Sequence, residues 1–125
     1  QAALAGAVKV GTGAILAGYA IVHQFCSVGA HSFCAMGSTV NKDIPAFVRV
    51  RGNPAKPYGI NSVGLKRLGF SSRAIEALRS AYRLIYRKNL TIEEALKELR
   101  PLEQKHKEVK LFSQTIKKSS RGIVR

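Results

Sequence analysis

Acidic side chains are scarce in this sequence of 125 residues. Seven Asp and Glu residues face 21 Lys and Arg residues, which gives a formal net charge of +14 at pH 7. Tryptophan is missing, methionine occurs once and cysteine twice. No apolar run approaches the roughly 20 residues that a membrane-spanning helix needs, so membrane insertion is not expected. Two cysteines are too few for the disulfide framework of a small secreted domain.

The positive charge is unevenly distributed along the chain. Residues 1–50 carry three basic side chains and one acidic one, whereas residues 51–125 carry 18 basic and six acidic ones. This asymmetry favours an acidic partner for the C-terminal half, either nucleic acid, a phosphorylated ligand or an acidic protein. A solvated helix surface explains the same charge equally well. Nucleic acid is not the expected partner, because no nucleic-acid-binding module is recognisable.

The two cysteines and the three histidines do not form a metal-binding pattern. Cys26 and Cys34 are expected to be reduced, buried thiols. A zinc site that joins them to His23 and His31 is not expected, because there is no CxxC pair and a coil of alternating faces would scatter these ligands. We expect neither a metal nor an organic cofactor.

The first residues bear on location. The sequence begins without Met and already inside its repeat, as a piece of a longer chain would. It shows no charged leader of the kind that opens a signal peptide. The expected location is therefore the cytoplasm.

Aliphatic residues recur at every sixth position of the N-terminal third. The series is Leu4, Val10, Leu16, Val22, Val28, Cys34 and Val40, with one thiol among the aliphatic side chains. A period of six is neither helical nor simply alternating, and it is typical of the hexapeptide-repeat β-helix. Small residues dominate the position after each member, and glycine and small residues are expected at the corners of the coil.

Each hexad is expected to form a short strand and a corner, so that three hexads close one triangular coil of about 18 residues. The aliphatic side chains then point inward and stack on their equivalents in the next coil. Seven hexads give just over two coils, which is few for a solenoid that must bury a continuous core. The coils therefore need further N-terminal coils, a partner subunit or the C-terminal helices.

Composition divides the chain into three segments. Coils are expected over residues 1–50, an exit segment and linker over residues 51–70, and an α-helical domain over residues 71–125. Val48 and Val50 alternate with arginines, which predicts one more strand at the end of the coils. The prolines and glycines that follow predict an extended path rather than a helix.

Serine, threonine and proline mark the expected ends of three helices in the last segment. A Ser or Thr before an apolar stripe is a typical N-cap, and a Glu three residues later completes a capping box. Proline disfavours a helix interior. These signals lie at Ser71 or Ser72, at Thr91 with Glu94, and at Pro101, which is expected to end the second helix. The third helix is expected from Glu108 to about Ser119.

Three stretches resemble the C-terminal half of one family. They are "VHQFC" (residues 22–26), "GINSVGLKRLGF" (residues 59–70) and "SSRGIVR" (residues 119–125). With the hexads, they resemble the acyl-carrier-protein-dependent UDP-N-acetylglucosamine O-acyltransferases, which begin lipid A biosynthesis in Gram-negative bacteria. The resemblance implies a left-handed parallel β-helix followed by α-helices, assembled as a homotrimer with active sites between subunits. It implies transfer of an (R)-3-hydroxyacyl chain from acyl carrier protein to the 3-hydroxyl of the sugar.

The resemblance also implies roles for individual residues. In the family a His acts as general base and a backbone amide supports the oxyanion. The residues that match family positions are Gly6 for the oxyanion amide, His23 and Gln24 for the active-site cleft, Asn61 and Arg67 for the nucleotide-sugar, and Met36 for the acyl-chain pocket. A structural filler is an equally good interpretation of Met36.

Departures from the family pattern bear on activity. The resemblance places the general-base His about a dozen residues before Gln1, and Ala7 stands where the family has a second active-site His. Loss of a general base typically costs about 10²–10⁴-fold in rate, so this chain is expected to be inactive by itself. Val63 and Leu68 replace a frequent acidic residue and a frequent second Arg. The departures favour an engineered homotrimeric scaffold as much as a fragment of a natural enzyme.

Overall fold

The computed structural model of the chain describes residues 2–125, so residue 1 of the predicted coil segment lies outside the described residues. Nine strands precede four helices in this range. The strands are β1 (Ala3–Leu4), β2 (Lys9–Val10), β3 (Ile15–Leu16), β4 (Ile21–Val22), β5 (Ser27–Val28), β6 (Phe33–Cys34), β7 (Thr39–Val40), β8 (Val48–Arg51) and β9 (Lys56–Ile60). The helices are α1 (Ser62–Arg67), α2 (Ser72–Tyr86), α3 (Ile92–Lys105) and α4 (Lys107–Lys117).

The first seven strands follow the period of six. Each of them ends on a member of the aliphatic series. Strands three apart in sequence pair in parallel, which gives the orders β1-β4-β7, β2-β5 and β3-β6, and β8 adds in parallel to β6. Leu4 lies opposite Val22, and Val10 lies opposite Val28, so these coils take 18 residues each. The predicted repeat of short strands that pair in parallel is confirmed.

The last coil is shorter than the others. Val28 bridges Ile44 and Cys34 pairs with Val50, and each of these pairs is 16 residues apart instead of 18. β8 is the strand predicted from the alternation of Val48 and Val50, and both valines are buried. β9 then turns back antiparallel to β8, which ends the parallel stacking on this face.

Burial of the aliphatic series increases along the chain. Val22, Val28, Cys34 and Val40 are buried, as predicted for inward-pointing side chains. Leu4, in contrast, is 50% exposed and Val10 is 44% exposed. Within residues 2–125 no coil lies beyond the first one to cover these two side chains. The apolar interior of the coils is therefore open at this end.

Three columns of corners run along the coil. Column A comprises residues 5–8 and 23–26, column B comprises residues 11–14 and 29–32, and column C comprises residues 17–20 and 35–38. Backbone hydrogen bonds connect successive corners: the Phe25 N–H donates to the Gly6 carbonyl (3.3 Å), the His31 N–H to Thr12 (2.9 Å) and the Gly37 N–H to Gly18 (2.9 Å). The columns thus lie along the three separate edges of a prism.

Each corner holds one residue in the left-handed backbone region. These residues are Ala7, Gly13, Tyr19, Phe25, His31 and Gly37. Only two of the six are glycines, although a left-handed φ costs other residues about 1 kcal/mol. The expectation of glycine and small residues throughout the corners is therefore wrong at this position. It is confirmed at Gly11 and Gly29, which each follow an aliphatic residue and lie against the backbone of the next coil. The equivalent position of another corner holds the larger His23.

Capping positions the helices as predicted. The Ser71 hydroxyl accepts a hydrogen bond from the Ala74 N–H (3.1 Å) and begins α2. Thr91 and Glu94 form the full capping box of α3, with distances of 2.9 and 3.1 Å. The hydrogen bonds to Thr91 also hold the pKa of the Glu94 carboxyl below its usual value.

Two helices differ from expectation. α3 continues through Pro101 to Lys105, so the prediction that this proline ends the helix is wrong. Pro101 is exposed, and water can therefore bind the carbonyl that loses its N–H partner, while the buried Ala95 and Leu99 keep the helix packed. α1 was not predicted at all. It begins at Asn61, which caps it, inside the segment expected to be a linker.

The helices pack on one another and on the end of the coil. α2 lies against β9, and α3 and α4 pack on α2. The Ala46 N–H of the coil donates to the Thr115 hydroxyl of α4 (3.0 Å). The chain end returns to the coil as well, because Asp43 forms a parallel bridge with Ile123. Helices and chain end therefore close the coil at the end opposite Leu4.

Both thiols are expected to be unreactive in the folded chain. Cys26 and Cys34 are free and buried, as predicted. Burial raises the pKa of the Cys34 thiol from 9.0 to about 12, and it raises that of Cys26 against the opposing charge of Arg121. Because the thiolate is the nucleophile, iodoacetamide at pH 8 should modify Cys34 about a thousandfold more slowly than a free thiol. Equal rates in buffer and in urea would contradict this prediction.

Candidate functional site

Column A carries three of the residues to which the resemblance gave a role. Gly6, His23 and Gln24 are all exposed there. The His23 N–H donates to the Val40 carbonyl of the next coil (2.8 Å), and Phe25 is held over Gly6 by its own N–H. This backbone pairing fixes His23 and Gln24 on the outside of the corner, where both side chains are free to meet a ligand.

An open cleft lies beside this pair. It has a volume of about 620 Å³, and it is lined by residues 3–5, by residues 21–25 and by Arg121. Arg121 reaches the cleft because the Asp43 N–H donates to the carbonyl of the neighbouring Gly122 (3.0 Å). The cleft thus combines an imidazole, an amide and a guanidinium, a donor set that suits a polar or anionic substrate.

Asn61 lies on a different edge of the prism. Its side-chain oxygen accepts from the Gly64 N–H (3.3 Å), and its amide group donates to the His31 carbonyl in column B (3.2 Å). Asn61 is 8% exposed, and these two hydrogen bonds connect α1 to the coil. Arg67 follows in the last turn of α1 and is exposed.

Met36 lies on the third edge, in column C. Its side chain is 74% exposed and fills no cavity in this chain. Ile15, Tyr19 and Ile21, on the coil below, are also exposed, so this edge is mainly apolar. An exposed apolar patch of this kind is typical of a protein–protein contact.

The predicted site residues therefore do not come together within one chain. Gly6, His23 and Gln24 share column A, whereas Asn61 joins column B and Met36 lies in column C. Columns on different edges of a prism face different directions. A site that uses residues of two columns requires a second chain beside the first.

Sequence reasoning missed Arg121 and the role of the aromatic corners. Arg121 is 98 positions from His23, and no local pattern connects the two. His31 occupies a left-handed corner and stacks on Phe47, with 5.7 Å between ring centroids, while Phe70 meets both rings edge-on. The six-residue spacing of Tyr19, Phe25 and His31 was the available signal.

The described part of the chain shows neither a metal-binding cluster nor a membrane-spanning helix. Across residues 2–125, no three His, Cys, Asp or Glu side chains are grouped so that they could hold a metal ion. None of the helices in that range is both long and apolar enough to cross a bilayer.

Eighteen-residue coils of paired parallel strands define this chain as a hexapeptide-repeat protein. A family model described as UDP N-acetylglucosamine O-acyltransferase, domain 2, matches residues 43–124. The chain belongs to the UDP-N-acetylglucosamine O-acyltransferase family. This confirms the family that the sequence stretches resembled.

Curated relatives and solved structures agree with this assignment. The acyl-(acyl-carrier-protein)–UDP-N-acetylglucosamine O-acyltransferases of Pseudomonas putida (strain W619) and Stutzerimonas stutzeri (strain A1501) are each 54% identical over 98% of this chain. The UDP-N-acetylglucosamine acyltransferase LpxA of Acinetobacter baumannii superposes with a TM-score of 0.95 at 37% identity, over 99% of this chain and 48% of that one. The enzyme of Francisella novicida gives 0.94 at 37% identity, over 99% and 46%.

The chain matches only part of each relative. The chain spans about half the length of the curated relatives it matches, with 48% of each covered. Its 125 residues correspond to a C-terminal fragment of such a protein.

Proposed function

We propose that this chain forms the C-terminal half of an acyl-carrier-protein-dependent UDP-N-acetylglucosamine O-acyltransferase of the cytoplasm. The reaction moves an (R)-3-hydroxyacyl chain from the carrier protein to the 3-hydroxyl of the sugar. The observation that carries the proposal is the position of the stretch "VHQFC", whose His23 and Gln24 lie side by side on an open cleft in a chain of this family. No cofactor has a part in the proposed reaction.

The proposed assembly is a homotrimer of left-handed β-helices with its sites between subunits. The distribution of the predicted site residues over three edges supports this assembly, because only neighbouring chains can bring two different edges together. The exposed Tyr19 and Met36 on column C, with the exposed Ile15 and Ile21 of the flanking strands, support it as well, since burial of their apolar surface stabilises an interface. In this arrangement Met36 reaches the acyl chain only at an interface.

The proposed residue roles are those that the family resemblance implies. The Gly6 amide supports the oxyanion of the tetrahedral intermediate, and the His23 and Gln24 side chains orient the reacting groups. Asn61 and Arg67 bind the nucleotide-sugar, where a guanidinium suits a diphosphate. The basic C-terminal half faces the acidic carrier protein, since complementary charge speeds encounter. Nucleic acid has no part in this proposal.

The 125 residues alone are proposed to be inactive. Ala7 cannot exchange a proton, and the cleft beside His23 contains no second imidazole among the residues that line it. A general base must lie within hydrogen-bond reach of the proton that it removes. His23 lines the cleft, but the family resemblance gives the role of base to another His, so we propose that the preceding half of the protein supplies the base.

Acyl transfer by a joined protein tests the proposal. The N-terminal half of the Pseudomonas putida relative is fused upstream of this chain, and transfer from acyl carrier protein to UDP-N-acetylglucosamine is measured with light scattering for assembly. The joined protein should be a trimer that turns over about 10²–10⁴-fold faster than the chain alone.

Two matched variants sharpen this test. His23→Ala in the joined protein should lower transfer strongly, whereas His106→Ala, which removes an imidazole far along the chain at the α3–α4 junction, should leave it unchanged. Turnover by the chain alone at the joined rate would refute the missing-base argument. A joined trimer without activity would instead support the scaffold interpretation.

A further inference from the structure

Four arginines line one small cavity on the side of the molecule that carries β8, β9 and α2. The cavity has a volume of about 350 Å³, and Arg49, Arg79, Arg83 and Arg87 contribute to its wall. The remaining lining residues are Gly59, Ile60, Ser62 and Tyr82, so none of them is acidic. Such a concentration of positive charge in a concave site favours an anion.

Arg49 is fixed in position by its neighbours. Its guanidinium lies over the Tyr58 ring, 4.6 Å from the ring centroid, in a cation–π contact. On another side it lies against Gly59, where an added Cβ would come within 3.1 Å of a guanidinium nitrogen. Gly59 also has a φ of 129°, which only glycine adopts easily. A preorganised guanidinium loses little entropy when it binds a ligand.

One donor of Arg49 is left without a partner. Its Nε atom is buried and makes no hydrogen bond within residues 2–125. A buried, unpaired donor costs about 1–3 kcal/mol, and native proteins normally satisfy such groups. Arg49 thus lines the cavity with hydrogen-bonding capacity that the described residues do not use.

The arginines that α2 contributes to the cavity are close enough in sequence to repel one another. Arg79 and Arg83 lie four residues apart on one face of α2, and Arg87 follows as the residue that caps its C-terminal end. Like charges at this spacing destabilise a helix. Of these three arginines, Arg79 alone forms an ion pair within residues 2–125, with Glu76 on the exposed surface. The helix dipole favours cations near the C-terminal end, which explains Arg83 and Arg87 but not Arg49, which comes from the sheet.

Tyr82 completes the cavity with a neutral hydroxyl. The residue is buried, and burial raises the pKa of its phenol, against the lowering effects of Arg87, the Gly59 backbone and Arg49. A phenol that keeps its proton can donate to an oxyanion. The Ser62 hydroxyl lies on the same wall.

The geometry points to a binding site for a phosphate group, free or as a monoester, in the cavity formed by Arg49, Arg79, Arg83, Arg87 and Tyr82. Several guanidinium groups around one cavity suit phosphate, which carries its charge on several oxygens and accepts many hydrogen bonds at once. A lone carboxylate of an acidic protein would engage fewer of these donors. The site is separate from the cleft of His23 and Gln24, so the inference does not depend on acyl transfer.

Calorimetric titration of the protein with inorganic phosphate, glycerol 3-phosphate and acetate tests the site at a salt concentration of about 0.15 M, where surface charges are screened. We expect saturable binding of phosphate or of its monoester, and the tighter of these two probes identifies the source. Acetate should bind at least tenfold more weakly, because it accepts fewer hydrogen bonds. Equal binding of acetate, or no saturation by either phosphate probe, would overturn the assignment.

A pair of arginine variants distinguishes phosphate binding in the cavity from nonspecific attraction to the net positive charge of the protein. Arg49→Met should weaken phosphate binding by about tenfold or more. The control residue is Arg51, whose guanidinium also stacks on Tyr58, at 4.5 Å, but which does not line the cavity. Arg51→Met should change phosphate binding by less than about twofold.

A second pair of variants, at exposed arginines, tests the site even if the Arg49 variant does not fold. Arg83 and Arg73 are both exposed on α2, but only Arg83 lines the cavity. Arg83→Gln should therefore weaken binding by about tenfold, and Arg73→Gln should leave it nearly unchanged. Equal losses within either pair would show that only net charge matters and would refute the site.

Discussion

Replacing Gly29 by alanine is expected to destabilise the folded chain by about 3 kcal/mol, the upper end of the range for overpacking. A Cβ at this position would lie 2.3 Å from the Ala46 nitrogen and 2.6 Å from the Pro45 carbonyl carbon. Both atoms belong to backbone, which cannot rotate away as a flexible side chain can. The Gly29 N–H also donates to the Ile44 carbonyl (2.8 Å), so the two chain segments cannot separate without losing this bond.

Gly18→Ala is the matched control for this substitution. Gly18 occupies a corner of the preceding coil, has no atom within 4 Å of an added Cβ, and does not have a left-handed φ. Alanine there should be neutral or should stabilise the chain by about 0.4–1 kcal/mol through the unfolded state. Urea unfolding at one protein concentration measures both variants. Similar midpoints for the two variants would show that the coils are not packed as described.

The shortened last coil places Pro45 and Ala46 over Gly29. The shortening is not what confines the glycine, because a Cβ on Gly11, under a coil of full length, would also lie only 2.5 Å from the Ala30 nitrogen. The sequence contains no clear sign of this shortening, because Ile44 continues the small-or-aliphatic pattern of the hexads. The period alone therefore predicts the strands but not the register of the last layer.

The same repeat explains why a histidine fits at position 23. The residue after each aliphatic one is Gly11 or Gly29 in column B, Ala17 or Ala35 in column C, and Ala5 or His23 in column A. Column B has backbone against these positions, and column A has an open cleft. A period of six predicts small residues at all of them. Only the period of 18 shows that one column has room for functional side chains.

In the helical half, the helix ends could be predicted where contacts within one turn determine them. Ser71, Thr91 and Glu94 form caps through contacts within one turn, so their sequence spacing is sufficient. Pro101 was misread because its effect depends on tertiary packing and on exposure to water, which the local sequence does not contain. The arginine cavity was beyond prediction for the same reason, since Arg49 and the arginines of α2 meet only in the folded chain.

Replacing Asp43 by alanine is expected to cost about 3 kcal/mol and to release the end of the chain. The carboxylate is buried; one oxygen accepts from the Ser27 N–H (2.8 Å), and the other accepts from the Ser119 hydroxyl (2.7 Å). Hydrogen bonds to a charged group are worth about 1.5–3 kcal/mol, and the Ser27 N–H would be left without its partner. The backbone of Asp43 also pairs with Gly122 and Val124 on either side of the bridge to the chain end.

Hydrogen exchange distinguishes the release of the chain end from general unfolding. The Val124 N–H, which donates to the Asp43 carbonyl (2.9 Å), should lose protection in Asp43→Ala, while amides in the middle of α2 keep most of theirs. Asp43→Asn should cost less, because its side-chain oxygen can still accept from the Ser27 N–H. Glu98→Ala removes the same charge from the exposed face of α3 and should cost under about 0.5 kcal/mol. If the Asp43 and Glu98 variants proved equally stable, the carboxylate would not hold the chain end to the coil, and the closure of the coil would have to come from apolar packing of Ile123 and Val124 alone.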